Sequence, residues 1–456
     1  MDIEIFQMKK LPPVQKLGGD YYYTQSVLIM AVMAEGETTI NNYNKGIDTE
    51  RTAEFLQKLG CTLSHQDDVF KINSNGQPIL PDDRMLIYNG ELYPLSLIIG
   101  LLAGLNKACT LQYSENINQD MIDRIVGTFN KNGIDLSHEA NSCSIIFRAA
   151  TGLPVSTKVF TSHSCVKNSL IMFGVVSGIS VEIQEMTPAA ACLESITDQF
   201  GVKLEIDEPS TQLIEDPNDP RRKIRVATAD YKKKLTLAPN SNAQPAEFNI
   251  PSNYDSVSAL LSLAVLLKKE IRLENVLLNS ERTKFLDHLK SIGSDVSMKD
   301  RKTEGGRSIG TVTVLCKNIK ARKFAGEHTS ILIDDIPFIA LMSVLGSGTT
   351  IIRDVSEFNE WGVRPLQEIA ENFEKMGIKC GILADGMIIE GTGEVNGADF
   401  GPFNNPKIAL IFYMAALAGQ GMSTFADFDI LNDYYPDIAS LMKSVGKHKE
   451  IVKEGV

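Results

Sequence analysis

The sequence predicts an α/β protein of two similar lobes, each an inside-out α/β barrel of three helix–strand units with the helices inside and the sheets outside. Three observations predict it. A hydrophobic-Gly signature that ends a helix and runs into a strand occurs six times: FLQKLGCTL at 55–63, FNKNGIDL at 129–136, ITDQFGVKLEI at 196–206, FLDHLKSIGSDV at 285–296, FEKMGIKC at 373–380 and LMKSVGKH at 441–448. Glycine enters the left-handed region beyond a helix without strain, so Gly60, Gly133, Gly201, Gly293, Gly377 and Gly446 read as helix ends. Each copy is preceded by an apolar helix, a small turn and a strand, the strand segments being GETTI, KACTLQY, GISVEI, KEIRLE, GTTIIRD and GMSTFAD. Self-similarity at a roughly fixed spacing is the mark of a repeat architecture. The third observation is a polar stretch at 208–234, followed by the linker-like APNSNAQPAEF at 238–248, which parts three copies from three.

The first full unit starts at the helix from about Tyr22, which leaves the first residues of the chain without a unit of their own. They are expected to pair with the second lobe, giving a first lobe of 20–240 and a second of 1–19 plus 241–456. The longest apolar runs, SLIIGLLAGL at 96–105 and IALIFYMAALAG at 408–419, are too short to span a bilayer and suit helices buried on nearly all sides.

Composition narrows the function classes. With 43% apolar and 22% charged residues among 456, the chain reads as an ordinary globule. A net charge of −12 speaks against a nucleic-acid or anionic-membrane surface. Seven cysteines, odd in number and without a CxxC, read as reduced thiols of a cytoplasmic protein. The start, MDIEIFQMKKLPPVQ, has no apolar h-region, so no signal peptide is expected. There is no metal-ligand spacing, no P-loop and no GxGxxG opening a helix, so no cofactor is expected. The expected partner is a small molecule; the sequence leaves the oligomeric state open.

Three stretches carry a family resemblance: LENVLLNSERTKFLDHLKSIGSDV at 273–296, IDDIPFIALMSVLGSGTTIIRD at 333–354 and MAEGETTINN at 33–42. With the repeat count and the two-lobe division, the chain resembles the enolpyruvyl transferases, most closely 5-enolpyruvylshikimate-3-phosphate synthases, over nearly its whole length. The resemblance implies a ligand cleft between the lobes. It also implies that Asp334, in the IDDIP motif beside Asp335, bonds the acceptor hydroxyl and accepts its proton. Read without the resemblance, Asp334 is as well explained as an acidic residue favoured at a helix start.

The cationic motifs of that family are largely replaced. Tyr21 stands at the place of an essential lysine, Ser26 and Ser96 at those of arginines, and Asp433, before Tyr434-Tyr435-Pro436, at that of a late lysine. A further Arg-containing motif becomes Trp361-Gly362-Val363-Arg364-Pro365, in which Arg364 is one position out of register. Lys407 replaces an arginine, keeping the charge without the bidentate fork. The helix start that takes the acceptor phosphate reads His163-Ser164-Cys165, where Ser164 can still cap a helix. Lys167, Asp48-Thr49 and Asp123-Arg124 match the family pattern, and each is equally at home as a structural residue.

A charge-assisted hydrogen bond contributes roughly 1.5–3 kcal/mol, so losing four or five costs on the order of 4–10 decades in binding two phosphorylated substrates. The aromatics Tyr21, Tyr22, Tyr23, Trp361, Tyr434 and Tyr435 suit a less charged ring or sugar-like ligand. Three readings stay open. One is a divergent carboxyvinyltransferase acting on a hydroxylated ring, with Asp334 catalytic and Tyr21, Ser96, His163, Ser164, Cys165, Arg364, Lys407 and Asp433 around the substrate. The others are a different reaction on the same scaffold and a non-catalytic binding module.

Overall fold

The computed structural model describes residues 1–12, 17–149, 154–161, 163–216, 219–240, 242–361 and 364–451, without the side chains of 213–216, 219–226, 281, 327–328 and 359–361. Among the described residues, six apolar helices form the inside: Tyr21–Ala31, Leu92–Gly104, Cys165–Ser177, Tyr254–Leu267, Ile336–Ser343 and Pro406–Ala418. Apolar residues run round these helices instead of lining one stripe, which is the pattern of a helix enclosed by protein. Every residue of Ile336–Ser343 is buried, and in Pro406–Ala418 all but the proline. The first three helices belong to one hydrophobic core and the last three to another.

The second unit shows the plan most plainly. Strand Met85–Tyr88, helix Leu92–Gly104 and strand Cys109–Tyr113 make a parallel pair, and the outer helix Gln119–Lys131 leads to the hairpin Leu136–Glu139 and Ser144–Phe147. The outer helix is amphipathic, burying Met121, Ile122, Ile125, Val126 and Phe129 on one face. Two units are completed by strands from elsewhere in the chain. Glu247–Asn249 adds in parallel to Glu35–Asn41 of the first unit, with Phe248 opposite Ile40. Ile3–Phe6 inserts antiparallel between Met422–Phe425 and His448–Glu450 of the last, with Ile3 opposite Phe425. The first core accordingly takes in Phe248 and Ile250, past the expected boundary at 240. The polar stretch at 208–234 is more than a connector: it folds as the hairpin Thr211–Asp216 with Asp219–Ala227 and reaches the strand Lys233–Leu237.

The two chain crossings lie side by side. Gly19 bridges Ser252, the Asp20 N–H donates to the Pro251 carbonyl at 2.9 Å, and the Asn253 N–H to that of Gly18 at 2.7 Å. Asp20 ties both lobes by accepting from the N–H of Tyr23 at 3.1 Å and of Tyr254 at 3.0 Å. A second tie is Arg307, at the tip of the hairpin Ser294–Glu304 and Arg307–Cys316. It is buried under Tyr23 and donates to Gln199 and to the Asn249 carbonyl.

Five of the six signature glycines have the positive φ expected of them, from +72° at Gly201 to +110° at Gly293. Gly446 does not: its φ is −95° and ψ 161°, because the chain there goes straight from the helix into the closing edge strand. Gly100 and Gly104 have a different task. A Cβ on Gly100 would lie 2.1 Å from the Ser169 carbonyl oxygen, and one on Gly104 would lie 2.6 Å from Val176 Cβ. Their bare backbone lets the helices Leu92–Gly104 and Cys165–Ser177 pack closely. Gly100→Ala is therefore expected to lower the unfolding free energy by about 1–3 kcal/mol or more. A urea titration in which the midpoint is unchanged would refute this close-approach argument.

Candidate functional site

The inner helices of both lobes start at one place. Between them lies a cavity of about 190 Å³. The first lobe lines it with Tyr21 and Tyr22, with Glu91 to Tyr93, with His163 to Cys165 and with Cys192. The second lobe contributes Asp255, Arg282, Asp334, Lys407, Tyr434 and Tyr435. Most of these stand at or within a residue or two of a helix start, where backbone N–H groups lack helical partners and the dipole favours negative charge.

Asp334 sits between two cations. Arg282 donates to its carboxylate at 3.1 Å, and Lys407 donates to its backbone carbonyl at 3.3 Å. Burial alone would raise the Asp334 carboxyl, but Lys407 and Arg282 outweigh it and hold it below the usual range. Lys407 is also paired with Asp255 at 3.0 Å, and Asp255 accepts from Tyr435 at 3.0 Å. The Arg282 guanidinium lies 4.0 Å from the centre of the Tyr254 ring, which shields it from water on that side. Behind Asp334, Asp335 accepts from Tyr254 at 2.8 Å and from Ser258 at 3.3 Å, and burial pushes its pKa up to about 7. Two adjacent carboxylates thus have opposite shifts: Asp334 is kept ionised and Asp335 is inclined to hold a proton.

On the facing wall the Tyr21 hydroxyl donates to Asp48 at 2.6 Å. Burial, more than the neighbouring Asp48, drives the Tyr21 phenol well above its usual value, so it is a neutral donor and no substitute for an ammonium. His163 Nε2 meets the Glu357 carbonyl at 2.8 Å, so that nitrogen carries the proton and bonds across the two lobes. Cys165 is at the cavity, but burial raises its thiol to about 12, which makes it a poor nucleophile at neutral pH. Ser164 occupies the helix N-cap without making a side-chain cap bond.

Of the residues expected around a substrate, Tyr21, His163, Ser164, Cys165, Asp334 and Lys407 reach the cavity, and three do not. Ser96 is fully buried behind the wall and donates to the Tyr93 carbonyl, since a hydroxyl one turn into a helix folds back on its own backbone. Arg364 is exposed, at a left-handed residue with φ +52° ahead of the helix Pro365–Lys375. Asp433 is exposed on the outer side of the helix Asp429–Tyr434, whose last residue, Tyr434, turns inward instead. Tyr22 and Tyr435 also line the cavity, while Tyr23 is buried and bonded to Ser195. The Trp361 side chain lies outside the described residues. Lys167 is locked in the core by ion pairs to Glu185 and Glu194.

Sequence reasoning missed Arg282, Asp255 and Glu91. Arg282 lies in the first turn of the helix Ser280–Ser291, inside the NSERTKFL stretch that carried the family resemblance. An arginine so placed looks solvent-facing until the second lobe's geometry brings Asp334 against it. Among the described residues no cluster of acidic, histidine or cysteine side chains is arranged to hold a metal ion, and no helix is long and apolar enough to cross a membrane.

Comparison with known proteins agrees with this architecture. The family model for EPSP synthase (3-phosphoshikimate 1-carboxyvinyltransferase) matches residues 8–227 and 220–442. A 3-phosphoshikimate 1-carboxyvinyltransferase of Thermoanaerobacter sp. (strain X514) is 24% identical over 439 residues, covering 96% of this chain and 98% of its own. The enzyme of that name from Oceanobacillus iheyensis is 22% identical, covering 95% and 96%. Among solved structures, EPSP synthase from Acinetobacter baumannii superposes with a TM-score of 0.78 at 18% identity, covering 98% of this chain and 100% of its own. The enolpyruvyl transferase NikO from Streptomyces tendae gives 0.74 at 17% identity, covering 98% of each chain.

Two outcomes follow from the buried charges. Arg282→Ala strands the Asp334 carboxylate and should lower stability by about 3–5 kcal/mol, with Arg282→Ala/Asp334→Ala recovering part of it. Equal loss in the single and double variants would show that the pair is not coupled. The folded state of Asp335 holds its proton up to a pKa of about 7, against about 4 for an unfolded aspartate. Its contribution to stability is therefore full below about pH 4 and is lost as pH rises through about 7. Asp335→Asn should remove that part of the pH profile; profiles of the two proteins that stay parallel from pH 4 to 7 would contradict it.

Proposed function

The chain belongs to the EPSP synthase family, and from that premise we propose that it transfers a carboxyvinyl group to the hydroxyl of a ring acceptor less anionic than 3-phosphoshikimate. The charge balance of the cavity carries this reading. Its lining places the cations Arg282 and Lys407 against the carboxylates of Asp334, Asp255 and Glu91. Both cations are engaged by the protein's own carboxylates, Arg282 by Asp334 and Lys407 by Asp255. Two phosphorylated substrates need a surplus of Lys and Arg, whereas tyrosine hydroxyls and ring faces suit a polyhydroxylated ring of low charge.

In this reading the acceptor lies beside Asp334, which takes the proton of the attacking hydroxyl. An aspartate held below the usual carboxylate range is ionised at neutral pH but weak as a base, so its contribution is positioning and proton acceptance. The hydroxyl oxygen bonds to the enol carbon of phosphoenolpyruvate as the methylene carbon takes up a proton, and loss of a proton from the resulting methyl group then expels phosphate and restores the double bond. Arg282 fixes the orientation of that carboxylate. Lys407, at the start of Pro406–Ala418, is the lining cation assigned to the departing phosphate. Tyr21, Tyr22, Tyr434 and Tyr435 shape the ring pocket.

A second reading, a binding module without turnover, is favoured by the same pairing, because cations committed to internal carboxylates are withheld from phosphoenolpyruvate. A different reaction on a sugar-like ring would use the same Asp334 and needs no further cation.

Phosphate release separates these readings. With phosphoenolpyruvate and shikimate 3-phosphate, turnover should lie several decades below the usual range of the family. Turnover within about tenfold of that range would sink the proposal. Release with phosphoenolpyruvate and an uncharged or singly charged cyclic polyol should occur, and Asp334→Asn should cut it by about 10²–10⁴-fold. Silence with every acceptor, together with tight binding of such a polyol, transfers the conclusion to the binding module.

A further inference from the structure

We propose that Glu91 sets the charge of the ligand that the cavity admits, acting as an internal carboxylate in the place an anionic group of a ligand would take. The inference rests on the reading above that the cavity binds a ring ligand, and it goes further by naming the residue that excludes the anionic members of that class.

Glu91 lines the cavity at the start of the helix Leu92–Gly104. Its backbone N–H is taken by both carboxylate oxygens of Asp48, each at 3.2 Å. Its own carboxylate accepts from the Tyr434 hydroxyl of the opposite lobe at 2.7 Å. Arg51 reaches the Tyr434 hydroxyl at 3.2 Å and Asp48 at 3.5 Å. Tyr21 gives its hydrogen to Asp48 as well. On this wall two carboxylates thus face one guanidinium, and the Tyr21 and Tyr434 hydroxyls donate to the protein's own anions. Across the cavity the pairs Arg282–Asp334 and Lys407–Asp255 leave no surplus of positive charge between them.

The consequence for a ligand is direct. A carboxylate or phosphate placed near Glu91 would meet like charge in a largely desolvated site, which is strongly disfavoured. A neutral hydroxyl there can donate to Glu91. Burial, and then Asp48, raise the Glu91 carboxyl, so its charge is best tested at about pH 8.

The experiment uses calorimetric titration of the full chain with a matched pair of probes, shikimate, which carries one carboxylate, and its neutral methyl ester. The wild type should bind the ester at least about tenfold more tightly than the acid. Glu91→Gln should bring that ratio below about threefold, chiefly by improving the acid. Tyr434→Phe, which loses the bond to Glu91 but leaves its charge, should keep most of the ratio. A wild type that prefers the acid, or an unchanged ratio in Glu91→Gln, overturns the proposal. If neither probe binds the wild type, the ring-ligand reading fails and inorganic phosphate decides the role of Glu91 by itself. Phosphate should then raise the melting temperature of Glu91→Gln more than that of the wild type, and an equal effect on both would overturn the role of Glu91.

Discussion

The starts of six buried helices meet at one cavity, and the rest of the molecule is arranged around that constraint. A helix start presents N–H groups without helical partners and the positive end of the helix dipole. Several of them together make a region that has to be filled with negative charge or oxygen acceptors. This chain meets the requirement largely from its own side chains. Asp20 caps Tyr21–Ala31, Asn405 caps Pro406–Ala418, and Glu91, Asp255 and Asp335 stand at the starts of three others. Asp20, Asp255 and Asp335 are buried and Glu91 is half-buried. Asp255 is met by Lys407, and Asp335 is inclined to hold a proton instead.

The fold of the family and its charge economy are thereby separated. The six-unit scaffold holds with no more than 24% identity to the relatives compared, because it depends on apolar periodicity, on helix ends and on a few close approaches such as that at Gly100. The cavity lining has no such tolerance: each charge is held by one or two named partners. Tyr21 brings no cation to the cavity, and its hydroxyl donates to Asp48. The site is a coherent arrangement of its own, with tyrosine hydroxyls bridging to Asp48, Glu91 and Asp255.

Linkage between the lobes is built from the same residues. Asp20 bonds the helix starts of both, Tyr434 bonds Glu91 across the cleft, and His163 bonds the Glu357 carbonyl. Because these groups also border or back the cavity, lobe geometry and the charge of the cavity lining are held by one set of hydrogen bonds. The proposed role of Glu91 rests on that sharing of groups.

The sequence by itself determined the fold class and the six units, because helix ends and apolar periodicity are local properties of the chain. It also indicated Asp334, Lys407 and the tyrosines as candidates, since the motif positions around them are readable in order. Only the tertiary structure decided which of them share a cavity, because burial and pairing depend on residues far apart in the chain. Ser96 turned back to its own helix, Arg364 and Asp433 fell on the surface, and Arg282 came to Asp334 from 52 positions away. Nor does any local signal show that Glu91 and Tyr434, separated by 343 positions, share a hydrogen bond. Charge compensation in a cleft is a property of two surfaces brought together, and neither surface can be read from its own stretch of sequence alone.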